Sequence, residues 1–142
     1  GIPATHRDTN QAVTFLTGHD QTGLTPSAID WEAIARGSPV IVIYMAMKHL
    51  AHITERLVAG GRKESEPVAI VCDASLPTQK VLETTLGTAA RDAAHAGLEP
   101  PAIVCVGEVV RLRAGLDWLG ALAGRQLDAD PLGLGHRTSV TG

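Results

Sequence analysis

Aromatic residues are scarce in this chain of 142 residues, which holds one Phe, one Tyr and two Trp. So few rings leave little surface for stacking bases, and a formal net charge of -3 supplies no dominant basic face. Nucleic acid is therefore not the expected partner. Cysteine is sparse as well: Cys72 and Cys105 fall in the apolar stretches "VAIVC" and "AIVCV", outside any CxxC spacing. That argues against a disulfide framework or a zinc site and makes both thiols small packing residues. Long apolar runs are missing too. "PVIVIYMAM" falls well short of a bilayer span, so no membrane partner is expected. No signal peptide is visible, which points to the cytoplasm. A phosphate-cradling glycine loop, a GxSxG elbow and an HExxH pair are all lacking.

What is present suits one α/β domain. A hydrophobic fraction of 44% and a charged fraction of 19% are those of a globular chain of this length. Three apolar runs rich in β-branched residues, "PVIVIYM", "PVAIVC" and "PAIVCVG", are each introduced by Pro. Continuous rather than alternating apolar character marks strands covered on both faces, so a mostly parallel or mixed sheet flanked by helices is expected. Between the runs, "KHLAHITERLVAGG" places Leu50, Ile53, Leu57 and Val58 on one helical stripe, with Lys48, Glu55 and Arg56 outside, and stops at Gly60-Gly61. "LGTAARDAAHAG" puts Leu86, Ala90, Ala93 and Ala94 in helical register and ends at Gly97. "QAVTFLTG" reads as a further strand and "DWEAIARG" as a short helix capped by Asp30. "QKVLETTL" fits either an added strand or the first turn of the following helix. "AGLDWLGAL" reads as a last helical segment with Leu116, Leu119 and Leu122 on one side. Residues 123–142, rich in Gly, Asp and Pro, read as an extended or disordered tail.

In open α/β sheets, ligands settle outside the carboxyl ends of strands. Those ends are Met45-Ala46-Met47, Cys72-Asp73-Ala74-Ser75 and Val106-Gly107-Glu108, all small or flexible residues that let a ligand approach the backbone. A methionine there offers soft contact to a flat ring such as adenine, and the Asp73-Ala74-Ser75 turn offers peptide groups. The bland alternative is that such residues only make tight turns. His49 and His52, at i and i+3, lack a third partner for a metal. Arg111 and Arg113 form a local basic spot, fit for a carboxylated ligand or for a solvated strand end.

Five stretches in order, "GIPATHRD", "AVTFLTGH" followed by "DWEAIA", "VIYMAMKHL", "PVAIV" with "TQKVLETTL", and "PPAIVCVGEVVRLRAGLDWL", give the chain its resemblance to a known family. Over residues 1–122 it resembles the C-terminal part of the uroporphyrinogen-III C-methyltransferases, tetrapyrrole methylases that use S-adenosylmethionine. The resemblance implies a two-domain homodimeric enzyme with the cofactor in the cleft between its halves. Its N-terminal methylase domain would be absent from this chain, which lacks an initiator Met and would begin just after the domain junction. Residues 1–122 would form the C-terminal domain, inactive alone.

The implied chemistry is methyl transfer from a sulfonium to two pyrrole carbons of uroporphyrinogen III, giving precorrin-2 and S-adenosylhomocysteine, on the way to sirohaem or cobalamin. The implied cofactor contacts fall on Met45 and Ala74, with Ala46 and Asp73 beside them. The family usually has Gly where this chain has Ala46 and Ala74. If Gly is needed there for positive φ, Ala costs of order 1 kcal/mol; if Gly only clears space, the methyl narrows the pocket. The tetrapyrrole carries eight carboxylates, for which Thr5, His6 and Arg7 are the candidate contacts. The alternative for "THRD" is a structural turn in which Asp8 accepts backbone hydrogen bonds. Trp31 and Trp118 read as core or dimer-interface residues. No catalytic residue and no metal ligand is assigned. Alternative readings are a methylase acting on later precorrins and a non-catalytic structural or dimerisation module.

Overall fold

A computed structural model describes residues 1–135 of the chain. Its centre is one five-stranded mixed sheet in the order β1-β2-β5-β3-β4. The strands are β1 (Thr14–Thr17), β2 (Ile41–Tyr44), β3 (Pro67–Cys72), β4 (Lys80–Thr85) and β5 (Ala102–Val106). All three apolar runs and "QAVTFLTG" are strands, as expected, and "QKVLETTL" resolves as the edge strand β4. Among the described residues, only β1 and β2 pair in parallel. β5 lies antiparallel to both β2 and β3, and β4 antiparallel to β3.

Because β2, β3 and β5 lie inside the sheet, their residues alternate between two covered faces. Ile41, Ile43, Val68, Ile70, Val104 and Val106 enter a core shared with α1 (Trp31–Gly37), α2 (Leu50–Ala59) and α3 (Ala89–His95). Ala69 and Cys105 face the other way and pack with Val40, Val109, Val110 and Leu112, over which Ile2, Val13 and Leu132 close. The Asp30 side chain caps α1 by accepting from the Ala33 N–H at 2.9 Å. α2 turns in Leu50, Ile53 and Leu57, the stripe read from the sequence. It ends where Gly61, at φ 105, lets the Arg62 N–H return to the Leu57 carbonyl.

Two expectations need correction. α3 buries Ala89 and Ala93 rather than Ala94, because Leu86 lies in the turn before the helix and so sets a different register. "AGLDWLGAL" breaks at Asp117 into α4 (Arg113–Leu116) and α5 (Trp118–Leu122), with the Asp117 side chain accepting from the Gly120 N–H. Leu116, Leu119 and Leu122 are all exposed; of the two tryptophans read as core or dimer-interface residues, Trp31 is in the core and Trp118 is exposed in the single chain. In the expected tail, the Asp128 N–H donates to the Ala114 carbonyl and Arg125 pairs with Asp117. Residues 136–142 of that tail lie outside the described residues.

Candidate functional site

The strand directions decide which strand ends meet. β1, β2 and β3 end at one edge, while β5 begins there, so Met45-Ala46-Met47 and Cys72-Asp73-Ala74-Ser75 share that edge with Pro100, Pro101 and Ala102. The third end chosen from the sequence, Val106-Gly107-Glu108, lies at the opposite edge, against the starts of β2 and β3. There the Gly107 N–H donates to the Pro67 carbonyl, and a Cβ on Gly107 would stand 2.8 Å from the Pro39 carbonyl oxygen.

A cavity of about 680 Å³ opens at the first edge. Its wall is mostly apolar, built from Met45, Met47, Leu76, Pro100, Pro101 and Ala102 with Val71 and Ile103 behind them. Tyr44, His19, Lys48 and Asp73 supply polar groups. Backbone strain gathers here. Met45, Asp73 and Ser75, with φ of 53, 49 and 69, are the non-glycine residues at positive φ among the described residues. All three stand on this edge, each in a conformation that costs an L-residue of order 1 kcal/mol. The turn they shape is tightly closed: the Asp73 N–H donates to the Pro101 carbonyl at 3.1 Å and the Ser75 N–H to Gln79 Oε1 at 2.8 Å. Ala74, exposed between them, has no hydrogen bond to its own N–H or C=O among the described residues. Its peptide groups are free to meet a ligand.

Neither alanine is at positive φ. Ala46 has φ -84 and is fully buried, its Cα packed against Gly18; Ala74 is exposed and belongs to the cavity lining. The conformational cost considered for an alanine at these positions does not arise. Cys72, just before the turn, is buried, and burial first, then the Asp73 charge, pushes its thiol up. It is not an activated nucleophile.

Thr5, His6 and Arg7 lie on a separate turn that does not line the cavity. The lock of that turn is Asn10, a residue sequence reasoning passed over, and not Asp8. Buried Asn10 donates from Nδ2 to the Ala4 and Ala12 carbonyls at 2.8 and 3.1 Å, while the Asp8 N–H donates to His6 Nδ1. Arg111 and Arg113 do not form a common basic spot. Arg111 pairs with Glu108, and the largely buried Arg113 is held by Glu83 and Asp117. His49 Nε2 lies 2.8 Å from the Gly23 carbonyl oxygen and His52 is exposed. No group of three or more potential metal-binding side chains occurs among the described residues. His19 and Lys48 are cavity residues that the sequence did not single out.

Residues 1–90 match the family of Tetrapyrrole (Corrin/Porphyrin) Methylases. Over 131 residues, 92% of the chain, it is 69% identical to a uroporphyrinogen-III C-methyltransferase of Sinorhizobium sp, covering 47% of that protein. The native form of uroporphyrin III C-methyl transferase from Thermus thermophilus superposes with a TM-score of 0.70 at 30% identity, over 80% of this chain and 47% of that one. The enzyme of the same bacterium complexed with S-adenyl homocysteine gives 0.66 at 30% identity, over 78% and 48%. The chain thus spans about half the length of these relatives. With its fold and sequence both matched, the chain belongs to the tetrapyrrole methylase family.

Proposed function

We propose that this chain is the C-terminal half of a uroporphyrinogen-III C-methyltransferase that methylates two pyrrole carbons of uroporphyrinogen III to give precorrin-2. Residues 1–122 are the C-terminal domain in this reading, and the half alone does not turn over. The observation that carries it is the 69% identity to the Sinorhizobium enzyme across nearly the whole chain. The complete protein works in the cytoplasm as a homodimer. Apolar side chains left exposed here, among them Phe15, Trp118 and Leu122, support burial against the N-terminal half or a second copy.

S-adenosylmethionine supplies, when bound, a methyl group made electrophilic by its sulfonium. The cavity suits such a molecule: its apolar wall takes a flat heteroaromatic ring, and the free N–H and C=O of Ala74 match the ring's polar edge. In this reading Met45 packs on the ring, Asp73 and Ala74 hold its rim, and Ala46, packed on Gly18, fixes where Met45 stands. Displacement at a methyl carbon needs alignment and a dry site more than a strong base. The strained, closed turns at residues 45 and 73–75 meet that need by presenting a wall that does not have to reorganise. Thr5, His6 and Arg7 receive substrate carboxylates once the other half completes the cleft.

The test is a methylation assay of the full-length protein with uroporphyrinogen III and with later precorrins, beside a calorimetric titration with S-adenosylhomocysteine. Methylation of uroporphyrinogen III, with binding abolished by Met45→Glu, is the expected result. Methylation of later precorrins alone would replace the substrate, and intact binding in Met45→Glu would remove Met45 from the site.

A further inference from the structure

Six of the cations among the described residues are paired with a carboxylate, whereas Arg7, Lys48, Arg56, Lys63 and Lys80 are not. Arg36, Arg62, Arg91, Arg111, Arg113 and Arg125 each lie within ion-pair distance of one. Of the unpaired five, Lys48 is the one among the described residues that lines the cavity at the sheet edge. Its placement follows from local geometry. Met47–His49 is a single 3-10 turn, so Lys48 does not continue the outward face of α2. The neighbouring His49 ring holds the Gly23 carbonyl, and a Cβ on Gly23 would stand 3.7 Å from Lys48 Nζ. The ammonium therefore stands beside the Gly23 turn, on a side chain that belongs to the cavity lining.

The one carboxylate in the cavity lining, Asp73, makes no ion pair with it. The cavity lining thus holds an ammonium and a carboxylate that are not paired with each other, and the ammonium keeps its N–H donors free. We infer that Lys48 is a carboxylate-binding residue of this site. The inference rests on the proposed function, under which a carboxylate arrives from two sources, the side chains of the tetrapyrrole and the amino-acid end of the cofactor. A charge-assisted hydrogen bond at a half-open cavity fits either one.

The experiment compares Lys48→Met and Lys48→Arg with the parent in the full-length protein. It measures KM and kcat for uroporphyrinogen III, and Kd for S-adenosylhomocysteine by calorimetry. In Lys48→Met one constant rises roughly tenfold while kcat stays within about twofold, and Lys48→Arg recovers most of the loss. A rise in KM assigns the substrate's carboxylate; a rise in Kd assigns the cofactor's. Both constants unchanged in Lys48→Met would overturn the inference. Should the parent fail to methylate uroporphyrinogen III, the proposed function falls by itself, and the S-adenosylhomocysteine Kd alone then decides the role of Lys48. Lys48 is exposed, and thermal melts of each variant check that the fold is kept.

Discussion

Gly18 to Ala is a substitution of one hydrogen by one methyl, and the structure makes it severe. Gly18 follows β1 and donates its N–H to the Tyr44 carbonyl at 2.7 Å. A Cβ there would stand 2.5 Å from the Ala46 Cα, 2.7 Å from the Met45 oxygen and 2.9 Å from the Ala46 nitrogen. All three are backbone atoms, with no rotamer to yield. Restoring ordinary contact requires the Met45–Ala46 peptide to move by about 1 Å, since carbon contacts are optimal near 3.5–4.0 Å. Overpacking of this kind costs roughly 1–3 kcal/mol, equivalent to a fall in Tm of about 3–10 °C for a chain of this length. The displaced peptide is also the wall that carries Met45, and a misplacement of about 1 Å can cost of order 100-fold in rate. Gly37→Ala is the control: no atom lies within 4 Å of its Cβ position, so stability is expected to stay level or rise by about 0.5 kcal/mol. Thermal melts by circular dichroism and calorimetric titration with S-adenosylhomocysteine measure both effects. A Gly18→Ala protein that melts with the parent and binds equally well would refute the close-packing argument.

Acid stability should depend on Asp92, held at about 2 by hydrogen bonds from the Thr84 and Thr88 hydroxyls and then from Arg91. Because its folded value lies below the ordinary 3.8, its contribution is complete above about pH 4 and fades as pH falls through 2; Asp92→Asn should flatten that part of a melt-versus-pH curve. Arg62→Ala should cost about 3–5 kcal/mol in urea titration, because it strands the nearly buried Glu66 and leaves the Ser38 and Ala35 carbonyls short of a donor. Replacing both Arg62 and Glu66 by Met should cost less than Arg62→Ala alone. Both thiols should resist Ellman's reagent in the native chain and react on unfolding, since burial pushes Cys105 up to about 11 and also raises Cys72; rapid native labelling of either would contradict the packing described.

The strands were legible because β-branched runs bounded by Pro admit few other readings, and the Asp30 cap because its side chain acts within one turn. Direction was not legible. "KVLETT" has too little alternation to separate a strand from a helical start, yet its being a strand decides the course of the chain. β4 carries the chain to the far edge, α3 brings it back, and β5 must then start where β2 and β3 end. Met45 and the 73–75 turn were found because strand ends are visible in sequence, whereas Pro101 and Ala102 were hidden behind the unknown sense of β5. Lys48 is exposed, as the helical pattern has it, but nothing in that pattern shows that the 3-10 turn at Met47–His49 also sets it in the cavity lining. Asn10 carried no pattern, since its bonds run to carbonyls that only the folded turn gathers.

The position of β5 also orders assembly in time. Without it, the parallel pair β1-β2 and the antiparallel pair β3-β4 share no strand contact, and ribbons of two strands have little stability of their own. A ribosome must release the chain beyond Val106 before β5, the last strand among the described residues, can slot between them. Until then neither sheet face is continuous, and the cavity lacks the part of its wall that Ala102 and Ile103 form. Closure of the site and completion of the sheet are therefore a single late event, and a chain cut before residue 100 should leave two strand pairs that meet only through α2 and α3.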